Sequence, residues 1–392
     1  MHPTKAPLLG AFSALLLLSP VAADTYKVVK EYVGPTFFND WTFYDHYDNL
    51  TNGDTVFVSA SVAASEKLAY VDSTTNHAII KVDNNTTNVP TNEKRNTVRI
   101  ASNERYAVGS VWVADIHHVP YGIADAAAVA ATVLRLACLA PAWPEGGEID
   151  TFEGVNLVTN NQLGLHTLPG CTIVNPVVAT TSKVQSTDCS YLTNSNQGCL
   201  VIDQNPGSYG EAFAQADGGV FVTEFAKAGI SIWFFNRASI PDSLKTNTES
   251  IDTAALGTPT GNWPSTQCDM GKFFEPQNLI FDITLCGDFA KPPAIFGQTC
   301  KGVCYDDYVV GNGSNYGTAY FDVASVRVYG TDSSVVIGGG TSGNGTSTGG
   351  GNGTTSGGST GGNGAEAVRV AGVWAKLALL GMLVQAWVFF AC

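Results

Sequence analysis

Apolar and polar positions alternate in short runs along most of this chain. Thr55–Ala60, Val98–Ile100, Gly109–Ala114, Gly229–Phe235, Leu279–Ile283 and Ser325–Tyr329 are rich in β-branched and aromatic residues. Clusters of Gly, Asn, Asp and Pro separate them. Period-two runs between turn signals predict an all-β body, a sandwich or a barrel, over residues 24–335. One segment breaks the pattern. Ala and Leu dominate Ile123–Ala142, and that composition favours helix over strand.

Both ends follow other rules. Residues 1–23 carry Lys5, the apolar run Leu8–Leu18 and the small residues Val21-Ala22-Ala23. This is the layout of a secretory signal peptide cut after Ala23, and the run is short for a membrane-spanning helix. Leu377–Cys392 is a second apolar run, preceded by the small triplet Asn363-Gly364-Ala365 and a short spacer. That order predicts a GPI-anchor signal over 363–392, with Asn363 as the attachment residue and the tail removed. A C-terminal membrane helix is the alternative. Between body and tail, residues 336–362 are mostly Gly, Ser, Thr and Asn, the composition of a flexible linker. Glycosylation sequons begin at Asn49, Asn84, Asn85, Asn312, Asn344 and Asn352.

Composition narrows the partners. Lys and Arg number 20 against 34 Asp and Glu, a net charge of −14. An acidic chain is a poor match for nucleic acid and is indifferent to an uncharged polysaccharide. Nine cysteines fit an oxidising compartment. Spacing alone assigns no pairing to the eight upstream of the tail, and Cys300 and Cys304 have no matching His-rich segment for a zinc site.

The chemistry concentrates in one stretch. Glu148, Asp150 and Glu153 lie within six residues, interleaved with apolar Ile149 and Phe152 and flanked by Gly146-Gly147 and Gly154. On a strand, Glu148 and Asp150 share a face, while the odd offset to Glu153 aims it the other way. One β-bulge between Asp150 and Glu153 would re-aim it. Two carboxyls flanking one glycosidic bond are what retaining glycoside hydrolysis requires, one as nucleophile and one as acid/base. Asp150, close to both, would raise a neighbouring carboxyl's pKa by like-charge repulsion or share its proton. A solvated acidic edge is the plain alternative.

The stretch Gly147–Asn156 resembles the Glu-x-Asp-x-x-Glu signature of glycoside hydrolase family 16, and specifically its fungal secreted endo-1,3(4)-β-glucanases, or laminarinases. Similar stretches extend from Tyr32 to Tyr329, among them Phe37–Phe43, Gly109–Gly122 and Phe281–Asp288. The resemblance implies a concanavalin A-like β-jelly-roll sandwich of two curved antiparallel sheets, with Glu148 as nucleophile, Asp150 assisting and Glu153 as acid/base. It implies endo-hydrolysis of β-1,3- and β-1,3/1,4-glucan, no required cofactor and a structural calcium in some members; a monomer is expected. His166 resembles a histidine of the adjacent strand near the acid/base; a structural histidine is the other reading. Trp112 and Trp233 are expected either to stack on sugar or to fill the core, and Asp115, His117 and His118 to be structural. The family places a strand where Ile123–Ala142 stands. A helix there, whether an inserted segment or a mis-spliced exon, would leave a gap beside the catalytic strand. A cell-wall transglycosylase on the same fold, and a carbohydrate-binding wall protein with a dead site, are the rival functions.

Overall fold

The computed structural model describes residues 25–122, 132–174, 179–245 and 248–338. Two antiparallel sheets, of nine and eight strands, pack face to face. In chain order the strands are β1 (Thr25–Val33), β2 (Trp41–Phe43), β3 (Ala69–Val71), β4 (Ala78–Lys81), β5 (Arg99–Ser102) and β6 (Ser110–His118). There follow β7 (Thr132–Leu139), β8 (Glu148–Val155), β9 (Gln162–His166), β10 (Ser182–Val184), β11 (Cys199–Asp203) and β12 (Gly219–Ala226). The last are β13 (Gly229–Asn236), β14 (Ser250–Asp252), β15 (Gly261–Pro264), β16 (Asn278–Leu285) and β17 (Tyr320–Gly330). Sheet A runs β14-β1-β17-β6-β12-β13-β15, with β4 also on β17 and β3 on β4. Sheet B runs β10-β11-β9-β8-β7-β16-β5-β2. This is the all-β sandwich that the alternating pattern predicts.

Alternation explains the packing. Phe321, Val323, Val326 and Val328 of β17 and Trp112, Ala114 and Ile116 of β6 enter the core between the sheets. There they meet Ile149, Phe152, Leu163, Leu165, Phe281 and Ile283 from sheet B. A second apolar cluster lies on the far face of sheet A, where Val111, Val113, Val220, Val222, Trp233 and Ile251 of the sheet pack with Ile240 and Leu256.

The expected helix over Ile123–Ala142 is corrected in its described part. Residues 132–139 form β7, near the middle of sheet B, paired with β8 on one side and β16 on the other. Leu136 and Cys138 are buried in the core. Ladder pairing on both sides and burial between sheets outweigh the weak helical preference of Ala and Leu. The gap expected beside β8 is therefore filled. Residues 123–131 lie outside the described residues.

The folded body also runs past residue 335, because Val336 and Ile337 pair with Tyr106 and Arg105. The segments read as signal peptide (1–23) and anchor signal (363–392), and nearly all of the one read as linker (336–362), lie outside the described residues. Disulfides join Cys171 to Cys268, Cys189 to Cys199 and Cys286 to Cys304. Cys138 is a buried thiol whose pKa is pushed well above its usual range, first by burial and then by the nearby Asp150 charge.

Candidate active site

Every residue of β8 is buried, and the strand carries the bulge that the acid spacing requires. Against β9, Asp150 pairs with Gly164 and Glu153 with Gln162, so three steps on β8 answer two on β9. Against β7, Phe152 pairs with Leu136 and Asp150 with Ala137, again skipping Thr151. The side chains confirm the count. Thr151 Oγ1 lies 2.7 Å from Thr223 Oγ1 of sheet A and 3.5 Å from the Trp112 indole nitrogen. Phe152 also faces inward, stacked on Tyr209 at 5.1 Å between ring centroids. Two successive inward residues mean that Glu148, Asp150 and Glu153 share the outward face of sheet B. Gly154 returns to the inner side, where a Cβ would sit 2.1 Å from the Tyr209 ring, so only glycine fits.

A bulge leaves backbone groups unpaired, and one side chain takes up two of them. Asn161, fully buried, accepts from the Glu153 N–H at 2.9 Å and donates from Nδ2 to the Thr151 carbonyl at 3.1 Å. Its own N–H donates to Ser208 Oγ at 3.1 Å. Its carbonyl accepts from the Asp203 N–H at 2.9 Å. The carboxamide thus spans the bulge from a rigid anchor.

Each acid has a named neighbour. The Trp143 indole N–H donates to Glu148 Oε2 at 2.8 Å. Trp143 itself is 39% exposed and meets Tyr191 edge-on at 5.7 Å, so a large aromatic borders the nucleophile candidate. Gln162 Nε2 donates to Glu153 Oε2 at 2.7 Å. His166 Nε2 lies 3.4 Å from Asp150 Oδ2, and its Nδ1 lies 3.0 Å from Asn196 Oδ1. Gly198, at φ +70°, lies against that histidine, where a Cβ would come within 2.9 Å of the imidazole. His166 pairs in register with Glu148, so it stands at the Glu148 end, beside Asp150, and away from Glu153, the candidate acid/base near which the resemblance put it.

The two tryptophans proposed to stack on sugar lie elsewhere. Trp112 is 1% exposed in the core between the sheets, which leaves no ring face for a ligand. Trp233 is buried in the far cluster of sheet A, its indole N–H donating to the Gly257 carbonyl at 3.0 Å. Both belong to the sheet opposite the acids, and the core alternative is the one observed. Asp115 pairs with Arg237 at 2.7 Å and His117 with Asp217 at 2.9 Å. His118 stacks on Tyr320 at 3.8 Å, and burial pushes its pKa down to about 4. No group of three or more metal-ligating side chains occurs among the described residues. Asn49, Asn85 and Asn312 are exposed and Asn84 is half-buried; Asn344, Asn352 and Asn363 lie outside the described residues.

Trp143, Asn161 and Gln162 are the site residues that sequence reasoning missed. The signal for Trp143 was its place just before the acids. Asn161 and Gln162 become readable only once the β8–β9 register is known.

Comparison with known proteins agrees with this fold. A family model described as an XgeA-like catalytic GH16 domain matches residues 41–329. A probable endo-1,3(4)-β-glucanase of Neosartorya fischeri is 33% identical over 336 residues, 82% of this chain and 48% of that protein. The chain thus spans about half the length of that relative. Among solved structures, GH16 laminarinase 16A of Phanerochaete chrysosporium, with β-glucans in donor and acceptor sites, is 34% identical with a TM-score of 0.72. The match covers 78% of this chain and 99% of that one. An elongating GH family 16 β-1,3-glucosyltransferase is 32% identical with a TM-score of 0.69, over 78% of this chain and 99% of that one.

Proposed function

Because this chain belongs to glycoside hydrolase family 16, in its XgeA-like branch, we propose that it cleaves β-1,3- and mixed β-1,3/1,4-glucans within the chain, with retention of configuration. The observation that carries the reading is the bulged strand β8, which brings Glu148, Asp150 and Glu153 to one face. Glu148, its Oε2 held by the Trp143 indole, attacks the anomeric carbon as the glycosidic bond breaks. Glu153, oriented by Gln162 and by the Asn161 grip on its backbone, gives its proton to the departing oxygen. Water then enters, Glu153 takes a proton from it, and the ester to Glu148 breaks. Asp150 sits between the two acids in sequence and beside His166, where it tunes the charge that Glu148 sees. Only side chains and water take part, so no cofactor is required.

Transfer to a second sugar in place of water is the second reading. The likeness to an elongating β-1,3-glucosyltransferase favours it. Both reactions share the glycosyl-enzyme and differ only in acceptor. We also propose a secreted, monomeric protein, GPI-anchored through Asn363 and bearing N-glycans at Asn49, Asn85 and Asn312, on the sequence signals and the exposure of those three asparagines.

The test is reducing-sugar release from laminarin and mixed-linkage glucan, with product masses. Release by the parent and near-complete loss in Glu148→Gln and Glu153→Gln is expected. Activity retained by either variant would defeat the assignment, and products longer than the input would show transfer.

A further inference from the structure

Sheet A carries a polar cavity that this reaction does not use. On β17, Phe321 and Val323 enter the core, so Tyr320 and Asp322, alternating with them, face outward. β4 lies beside them in register, Tyr320 against Lys81 and Asp322 against Ile79. β3 places Tyr70 against Ile79. Tyr70, Asp72, Lys81, Tyr320 and Asp322 line an open, polar depression of about 370 Å³, large enough to seat a sugar-sized group. The acids of β8 face outward from sheet B, so the core separates the two sites.

The lining is held in place. The Tyr320 ring lies flat on the His118 ring, 3.8 Å away and 3° from parallel. His77 Nδ1 holds Asp322 Oδ1 at 2.7 Å. Asp72 Oδ1 accepts from the Thr74 and Thr75 N–H groups at 2.8 and 3.1 Å. Two carboxylates against one ammonium disfavour an anion, and no metal-ligating group of three occurs among the described residues. A neutral, polyhydroxylated ligand fits the chemistry. Carboxylate oxygens can accept from adjacent hydroxyls, an ammonium can donate to a sugar oxygen, and a tyrosine ring can take the apolar face of a pyranose.

We propose that this cavity is a second, non-catalytic glucan-binding site, which holds a hexose unit of a β-glucan on the face opposite the reactive acids. The ligand class rests on the function proposed above. Bound there, a polymer raises the local concentration of its own chain at the protein surface.

The test uses the full chain carrying Glu148→Gln, so that bound polymer is not consumed, and insoluble β-1,3-glucan as the probe. Tyr70→Ala and Lys81→Gln, each added to that background, are expected to weaken retention about fivefold or more, the scale of losing one anchoring contact. The same substitutions in the active chain are expected to leave kcat/KM on soluble laminaritetraose unchanged, which shows an intact fold and reactive face. Retention equal to that of the Glu148→Gln parent in both variants would overturn the proposal. If the active parent fails to cleave laminaritetraose, the functional reading fails, and the cavity is still judged by retention alone.

Discussion

Asn161→Ala strikes the device that sets Glu153. The substitution removes both contacts across the bulge, at 2.9 and 3.1 Å, and strands the Glu153 N–H and the Thr151 carbonyl in a buried place. Each buried polar group left unpaired costs about 1–3 kcal/mol, so with two such groups the unfolding free energy should fall by about 2–6 kcal/mol. The catalytic effect has a separate origin. Glu153 keeps its carboxyl and its Gln162 contact but loses the backbone anchor that aims it. A misplacement of about 1 Å at a reacting group costs about 100-fold, so kcat on laminari-oligosaccharides should fall by about 10- to 100-fold. An aryl β-glucoside with an activated leaving group needs little help from an acid, so glycosyl-enzyme formation from it should fall far less. That contrast separates aim from general instability. Asn161→Asp keeps an acceptor for the Glu153 N–H and should lie between parent and alanine variant in both readouts. A folded Asn161→Ala protein with parental kcat on the oligosaccharide, or an equal loss on both substrates, would refute the idea that the carboxamide aims the acid.

Two further expectations follow from the same neighbourhood. Trp143→Phe removes the donor to Glu148 Oε2 and keeps most of the ring. A hydrogen bond to a charged group is worth about 1.5–3 kcal/mol, so kcat should fall about tenfold or more. Stability should change little at this half-exposed position, and a burst of aryl alcohol should appear in rapid mixing as the departing Glu148 carboxylate loses its donor; an unchanged kcat would count against the role given to the indole. Asp203 is a buried acid whose pKa burial pushes up to about 6, the Asn205 N–H pulling the other way. Its folded form holds the proton more tightly than the unfolded chain, so its stabilising contribution is complete below about pH 4 and disappears as pH rises through about 6. Asp203→Asn should therefore recover up to about 3 kcal/mol at pH 7 and nothing below pH 4, read from denaturant unfolding at both pH values; equal effects at the two would be inconsistent with a raised carboxyl.

Much of the site was legible because its spacing is a constraint. The offset from Glu148 to Glu153 is odd, and an odd offset on one face demands an extra residue, which is the bulge at Thr151. What failed did so where local composition and distant pairing disagree. Thr132–Leu139 reads as helix by its Ala and Leu, yet β16, more than a hundred residues later, and β8 take it as a strand. Alternation told which side chains of β6 and β13 share a face, but not which face is the core or that Ile240 and Leu256 would pack on the other. Hence Trp112 and Trp233 could be named and not placed. His166 was found by resemblance but put at the wrong end, because only the β8–β9 register sets it opposite Glu148.

The proposed mechanism stands on covalent glycosylation of Glu148. Treatment with a 2-deoxy-2-fluoro β-glucosyl donor, digestion and peptide mass spectrometry measure this directly. The expected result is one fluoroglycosyl group on the peptide spanning β8, fragmenting to Glu148, and none in Glu148→Gln. A label on Asp150 or Glu153, or glucan cleavage that this reagent does not slow, would contradict it.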